Sequence, residues 1–152
     1  MITDACFTGE TLVKIHDGST AELSSLVNSR FVWIWSYDKS LGYIGAIAGN
    51  VRKIKDANRL IHLTFDNNKT IRCTEDHLFM LSDGTYRPAI ELQVGQKLMS
   101  PADTPHAILY KQIIKYQQPE PVYNLYVPER HNFVLECGVV AHDCFVERRE
   151  EE

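Results

Sequence analysis

What most constrains this chain is its punctuation: short β-branched and aromatic runs, each closed within a few residues by a turn signal. Residues 11–15 alternate and stop at Asp17-Gly18, and residues 31–37 are rich in aromatic and β-branched side chains. Residues 60–65 and 70–73 flank Asp66-Asn67-Asn68-Lys69, and residues 78–81 and 85–87 flank Ser82-Asp83-Gly84, so each pair predicts a hairpin. Glycines at 42, 45 and 49 predict that residues 41–55 are strands broken by turns or bulges. Residues 97–100 and 107–117 read as strands separated by 101–105. The runs 122–127 and 133–136, with Gly138 as a turn and a further run from Val139, close the pattern. Helix signals are few. Ser19-Thr20-Ala21-Glu22 has capping-box spacing ahead of Leu23, Leu26 and Val27, and residues 88–92 suit a single helical turn before Gly95. Many closely spaced strands with little helix predict an all-β domain.

With 152 residues, 44% of them hydrophobic, the chain suits one globular domain with a substantial core. A net charge of −4 without a basic run gives no reason to expect nucleic-acid binding. No apolar stretch is long enough to cross a membrane, and Met1-Ile2-Thr3-Asp4-Ala5 lacks a signal-peptide pattern. The charged ending from Glu147 to Glu152 reads as a solvated flank.

The chemistry-bearing residues are distributed. The last strand-like run ends in His142-Asp143-Cys144, an imidazole, a carboxylate and a thiol side by side. Any one of them alone would read as a polar hairpin end. With Cys6-Phe7-Thr8-Gly9-Glu10 near the start and Thr74-x-x-His77 in the middle, they form a constellation that chance rarely supplies in order. Cys73 and Cys137 lie beside strand-like segments and read as buried small hydrophobes. His16, His62 and His106 read as surface or edge residues, and Trp33 and Trp35 as sheet packing. Cys6, His77, His142 and Cys144 lack the spacing of a structural zinc site, so zinc is expected there only as an adventitious inhibitor.

These segments resemble the splicing blocks of an intein, a self-excising element with the hedgehog/intein (Hint) fold. Cys6 to Glu10 is similar to the family's first block and Thr74-x-x-His77 to its second conserved block. Residues 122–133 and 139–144 are similar to its last two, so the resemblance runs from Cys6 to Cys144. It implies a horseshoe-like, pseudo-twofold all-β fold, although no strong internal sequence repeat is visible. It divides the chain into an N-terminal flank, 1–5, a mini-intein, 6–143, and a C-terminal flank, 144–152. Free thiols at both junctions imply a reducing cytoplasm. The element would act in cis as a monomer, with no cofactor and no required partner. The short segment between Lys97 and Gln118 implies no homing endonuclease.

Residue roles follow from the same resemblance. Cys6 would attack the Ala5 carbonyl to give a thioester, with His77 protonating the departing amine and Thr74 and Asp76 polarising the scissile bond. Cys144 would then take the acyl group, and Asp143 would cyclise to cut the C-terminal junction with help from His142. Two positions depart from the family pattern. Asn124 stands where it carries an aspartate thought to couple the steps, leaving His131 as the next candidate activator. Asp143 stands where asparagine is usual, so ring closure would proceed through oxygen to an anhydride, more slowly. Three function classes stay open: self-splicing, slow or blocked in this chain; a hedgehog-like or bacterial intein-like autoprocessing domain with N-terminal cleavage only; and a catalytically silent Hint scaffold.

Overall fold

A computed structural model describes residues 5–101 and 106–143. The strands are β1 (Phe7–Thr8), β2 (Leu12–Lys14), β3 (Thr20–Glu22), β4 (Phe31–Asp38), β5 (Gly42–Phe65) and β6 (Thr70–Cys73). They continue with β7 (Leu78–Met80), β8 (Tyr86–Pro88), β9 (Lys97–Leu98), β10 (His106–Tyr126), β11 (Asn132–Val134) and β12 (Val140–His142). The only helical segments among the described residues are 3₁₀ turns at Leu23–Leu26 and Ala89–Glu91. The fold is all-β, as the turn punctuation predicts.

The spine is the antiparallel pair of β5, 24 residues long, and β10, 21 residues long. Residues 41–55 therefore do not break into separate strands, and 107–117 is continuous with 122–126. The breaks suggested by the glycines are absorbed otherwise. Gly42 turns, at φ 79°, while Gly45 and Gly49 stay in the strand, where the His16 ring and the Arg30 carbonyl lie close. Pro119 falls where the β5–β10 register jumps between Lys115 and Glu120, so no ladder bond is lost to its missing N–H. Further register shifts at Val122/Tyr123 and Asn124/Tyr126 break the in–out alternation. As a result Asn124 and Leu125 are both buried.

Strand β1 lies between β10 and β6, with Phe7 opposite both Tyr123 and Cys73, in a sheet ordered β4-β5-β6-β1-β10-β9. A second sheet runs β11-β12-β7-β8. Three aromatic rings hold the sheets together. Phe7 meets Phe79 edge-on at 5.8 Å and Phe133 at 6.1 Å, and all three are fully buried. Because Phe7 follows Cys6 and Phe79 lies two residues past His77, this packing also brings the Cys6 main chain beside the His77 ring.

One turn occurs four times among the described residues, closing 15–19, 65–69, 81–85 and 135–139. In each, the fourth residue's N–H donates to the first carbonyl, and the first residue's N–H to the fifth carbonyl. The fourth position has positive φ in every case: Gly18, Asn68, Gly84 and Gly138. Asp17, Asn67 and Asp83, at the third position, each accept from the fifth N–H at 2.9–3.1 Å. The first and third of these turns each lead through a strand into a 3₁₀ turn. This is a structural repeat that sequence comparison within the chain does not reveal.

The capping box is not used. Ser19 N–H and Oγ both donate to Asp17, residues 20–22 pair as β3 with β2, and the 3₁₀ turn that follows has no side-chain cap. Trp33 differs from its expected packing role as well: it is half-exposed, whereas Trp35 lies 4.4 Å from the His16 ring.

Candidate active site

Cys6, at the expected N-terminal junction, is buried among Ala57, Leu60 and Val122. Cys6 N–H donates to Thr74 Oγ1 at 2.9 Å, and Thr74 N–H donates to the Cys6 carbonyl at 2.9 Å. The Thr74 hydroxyl donates in turn to Asp76 Oδ1 at 2.8 Å. A carboxylate only accepts, so the hydroxyl hydrogen goes to Asp76 and its lone pair faces the junction nitrogen. On the other side of the same peptide bond, Asn124 Nδ2 donates to the Ala5 carbonyl oxygen. The amide is oriented by Leu125 N–H, which donates 2.7 Å to its Oδ1.

His77 is completely buried and lies 4.0 Å from the Phe7 ring. Its Nε2 is 2.8 Å from the His142 carbonyl oxygen. A carbonyl cannot donate, so Nε2 carries the hydrogen, and in the neutral ring Nδ1 holds the lone pair. Burial pushes this imidazole down to about 4, against a smaller opposing pull from the His142 carbonyl, Asp76 and the Cys6 main chain. The ring is neutral at pH 7. Its Nδ1 has no hydrogen-bond partner among the described residues.

At the expected C-terminal junction the Asp143 carboxylate is buried, and its Oδ2 accepts from Val127 N–H at 2.7 Å. His131 Nδ1 lies 3.2 Å from the same oxygen, and His142 Nδ1 lies 3.3 Å from Oδ1. His142 Nδ1 is also 3.1 Å from the main-chain carbonyl oxygen of Asp143, the atom that would bear charge in a cut after this residue. The His131 and His142 rings are parallel, 6.2 Å apart. Asn132 anchors this end: its Oδ1 accepts from Ser36 Oγ at 2.7 Å and Tyr37 N–H at 2.8 Å.

Cys6, Thr74, Asp76, His77, Asn124, His131, His142 and Asp143 are thus gathered along one path, with His77 reaching from one junction to the other. Cys144 lies outside the described residues. Among those described, no group of three His, Cys, Asp or Glu side chains is arranged to hold a metal ion. Cys73 and Cys137 are buried, which raises both thiols, Cys137 to about 12, and suits packing rather than nucleophilic chemistry. His106 is more than an edge residue, since its Nδ1 is 3.0 Å from Asp66 Oδ1 and its ring covers Gly138. The contact that sequence reasoning missed is the Asn124 bond to the Ala5 carbonyl. It depends on a local register shift that no sequence pattern encodes.

A family model described as the pretoxin HINT domain matches residues 34–144. The B subunit of DNA gyrase from Synechocystis sp. is 38% identical over 100 residues, covering 62% of this chain and 9% of that protein. The solution structure of a bacterial intein-like domain from Clostridium thermocellum superposes with a TM-score of 0.80 at 21% identity, over 90% of this chain and 97% of that one. The crystal structure of a DnaB intein from Synechocystis sp. PCC 6803 gives 0.76 at 22% identity, over 93% and 99%. No helix of the described residues is long and apolar enough to cross a membrane. With the family match extending over most of its length, the chain belongs to the pretoxin HINT domain family of the Hint superfamily and is built on the mini-intein fold.

Proposed function

We propose that this chain carries out autocatalytic protein splicing in cis, joining residues 1–5 to 144–152 and releasing 6–143. The observation that carries the reading is that both junction carbonyls face a side-chain donor, Asn124 at Ala5 and His142 at Asp143, while His77 links the two ends. In the first step the Cys6 sulfur bonds to the Ala5 carbonyl carbon, the carbon–nitrogen bond breaks, and the thiol proton ends on the Cys6 amine. Asn124 stabilises the oxyanion, a contribution that reaches about 10²–10³ in rate for a well-placed donor. Thr74, held by Asp76, orients the leaving nitrogen. His77 starts neutral, so it takes the proton before it returns it to the amine.

Cys144 next accepts the acyl group, with His131 as the candidate base, because Asn124 cannot take a proton. Asp143 then closes onto its own carbonyl through oxygen, and His142 stabilises the carbonyl and protonates the leaving Cys144 amine. The thioester finally relaxes to an amide. Holding the two junctions together replaces an encounter, worth an effective molarity of about 10⁵–10⁸ M for well-aligned groups. A match to only 9% of a much longer protein supports an element carried inside a host.

A second reading, N-terminal cleavage alone, is favoured by Asp143 itself. Its carboxylate is held by Val127 N–H and faced by two imidazoles, and an anhydride is a high-energy product. Intact mass after incubation with and without dithiothreitol separates the outcomes. A ligated 1–5/144–152 peptide supports splicing, and thiol-dependent loss of 1–5 alone supports the second reading. An unchanged chain overturns both and leaves a silent scaffold. No cofactor and no endonuclease activity belong to this proposal.

A further inference from the structure

We infer that Arg72 is a positioning residue for the N-terminal junction, a role that rests on the acyl-shift reading above. Its guanidinium ties β6 to β10 directly and, through Glu10, to Thr8 of β1. Nε and Nη2 donate to Glu10 Oε2 at 3.1 and 2.8 Å, and the same oxygen accepts from Thr8 Oγ1 at 2.6 Å, on the strand that begins after Cys6. Nη1 lies 3.2 Å from Glu120 Oε1 and 3.2 Å from the Tyr116 hydroxyl, and the Arg72 head lies over the Tyr116 ring at 5.6 Å. Arg72 itself sits in β6, two residues before Thr74.

The position of these contacts matters more than their number. Tyr116 lies within and Glu120 closes the widest register jump of the β5–β10 pair, between Lys115 and Glu120, and Asn124 lies four residues beyond Glu120. A stretch with surplus residues on one strand has no ladder to set its register, so a side-chain clamp has to do it. Arg72 supplies that clamp, and it ties the jump to Thr8 on one side and to the Thr74 strand on the other. The guanidinium suits the task because its planar fork holds several acceptors in fixed directions, which an ammonium cannot do. Half-exposed ion pairs add little to stability, so the role shows in geometry rather than in the melting temperature.

The test uses the full chain with Arg72→Met and Arg72→Lys, plus Glu120→Gln in case Arg72→Met does not fold. In ¹H–¹⁵N spectra, the Cys6 amide and the Asn124 side-chain amide should shift in Arg72→Met, while the His142 and Asp143 amides stay in place. Thiol-induced loss of residues 1–5 should slow by roughly ten- to a hundredfold, the cost of a small misplacement in an aligned site. Cleavage after Asp143 that proceeds without prior acyl transfer should keep its rate. Arg72→Lys should recover little, and Glu120→Gln should show the same pattern more weakly. Unmoved Cys6 and Asn124 resonances, or equal slowing of N-terminal cleavage and of that uncoupled cleavage after Asp143, would overturn the inference. If the unaltered chain shows no thiol-induced cleavage, the acyl-shift reading fails, and the spectra still decide whether Arg72 sets the junction's geometry.

Discussion

His77 illustrates how one residue's surroundings fix its chemistry. Its ring is neutral because burial disfavours the cation more than its neighbours favour it, and Nε2 is committed to the His142 carbonyl. An unfolded histidine titrates near 6.5, so between that value and about 4 the unfolded chain binds the proton that the folded chain refuses. Stability from this group is therefore complete above about 6.5 and is lost as the pH falls towards 4, by about 3 kcal/mol at most. Urea titrations at pH 7 and pH 5 should show this loss, and His77→Gln should flatten the difference between them; an unchanged pH slope in the variant would show that the ring is not buried as a neutral base. Asn124 is the matching case at the Ala5 carbonyl. Under the acyl shift proposed above, replacing it by alanine removes the donor to the Ala5 carbonyl and should slow thiol-induced N-terminal cleavage about 10²-fold, with Asn124→Gln unable to restore the rate because its longer side chain misses the aim set by Leu125 N–H. Equal rates in Asn124→Ala and the unaltered chain would remove this residue from the first step.

Among the elements, the recurring turn allows a controlled comparison. Gly18 and Gly138 hold the same position in it, both at φ 98°. A β-carbon on Gly18 would meet nothing within 4 Å, so Gly18→Ala should cost only the backbone strain, roughly 1–2 kcal/mol. At Gly138 the same atom would sit 2.7 Å from the His106 ring, which Asp66 holds in place. Gly138→Ala should therefore cost about 0.5–1.5 kcal/mol more, as that hydrogen bond is broken, and His106→Ala in the same chain should erase the excess. Denaturant midpoints of the single and double variants check this; equal costs for the two glycines would mean that His106 moves aside freely. Turn chemistry of this kind was legible in the sequence because it is local. Asp17-Gly18, Asn67-Asn68 and Asp83-Gly84 announce their own hairpins, and the 65–69 and 81–85 connections fall where those residues predict. The long strands were not legible. Gly45, Gly49 and Pro119 carry the signature of breaks, yet pairing with a distant partner and a jump in register keep β5 and β10 continuous. Ser19 misled for a related reason: its cap-forming groups are spent on Asp17, inside the preceding turn.

At the scale of the whole molecule, the Phe7, Phe79 and Phe133 contacts between the two sheets set the distance between the junctions, and His77 joins them by one hydrogen bond. Under the splicing proposed above, the C-terminal cut comes after acyl transfer, so the chemistry of residue 143 would have to be matched to that of Cys6 across this link. The resemblance located both ends in the sequence, but the way Asp143 is held belongs to the fold, since Val127 N–H, His131 and His142 come from different strands and turns. Asp143→Asn tests the match. With its oxygen in place of Oδ2, the amide still accepts from Val127 N–H, and its nitrogen takes the Oδ1 site beside His142. That nitrogen can close on the main-chain carbonyl carbon to a succinimide, breaking the bond to Cys144 and passing a proton to the departing amine. An imide is a far less energetic product than an anhydride, so cleavage after residue 143 should accelerate by about tenfold or more, corresponding to a barrier lower by ~1.4 kcal/mol. Mass spectrometry of the products over time reads both the rate and the order of cutting. Ligated flanks should accumulate if His77 keeps the two junctions in step, and free 144–152 should accumulate if the faster cut outruns acyl transfer. A rate unchanged from the aspartate form would mean that ring closure at this position does not limit the C-terminal cut.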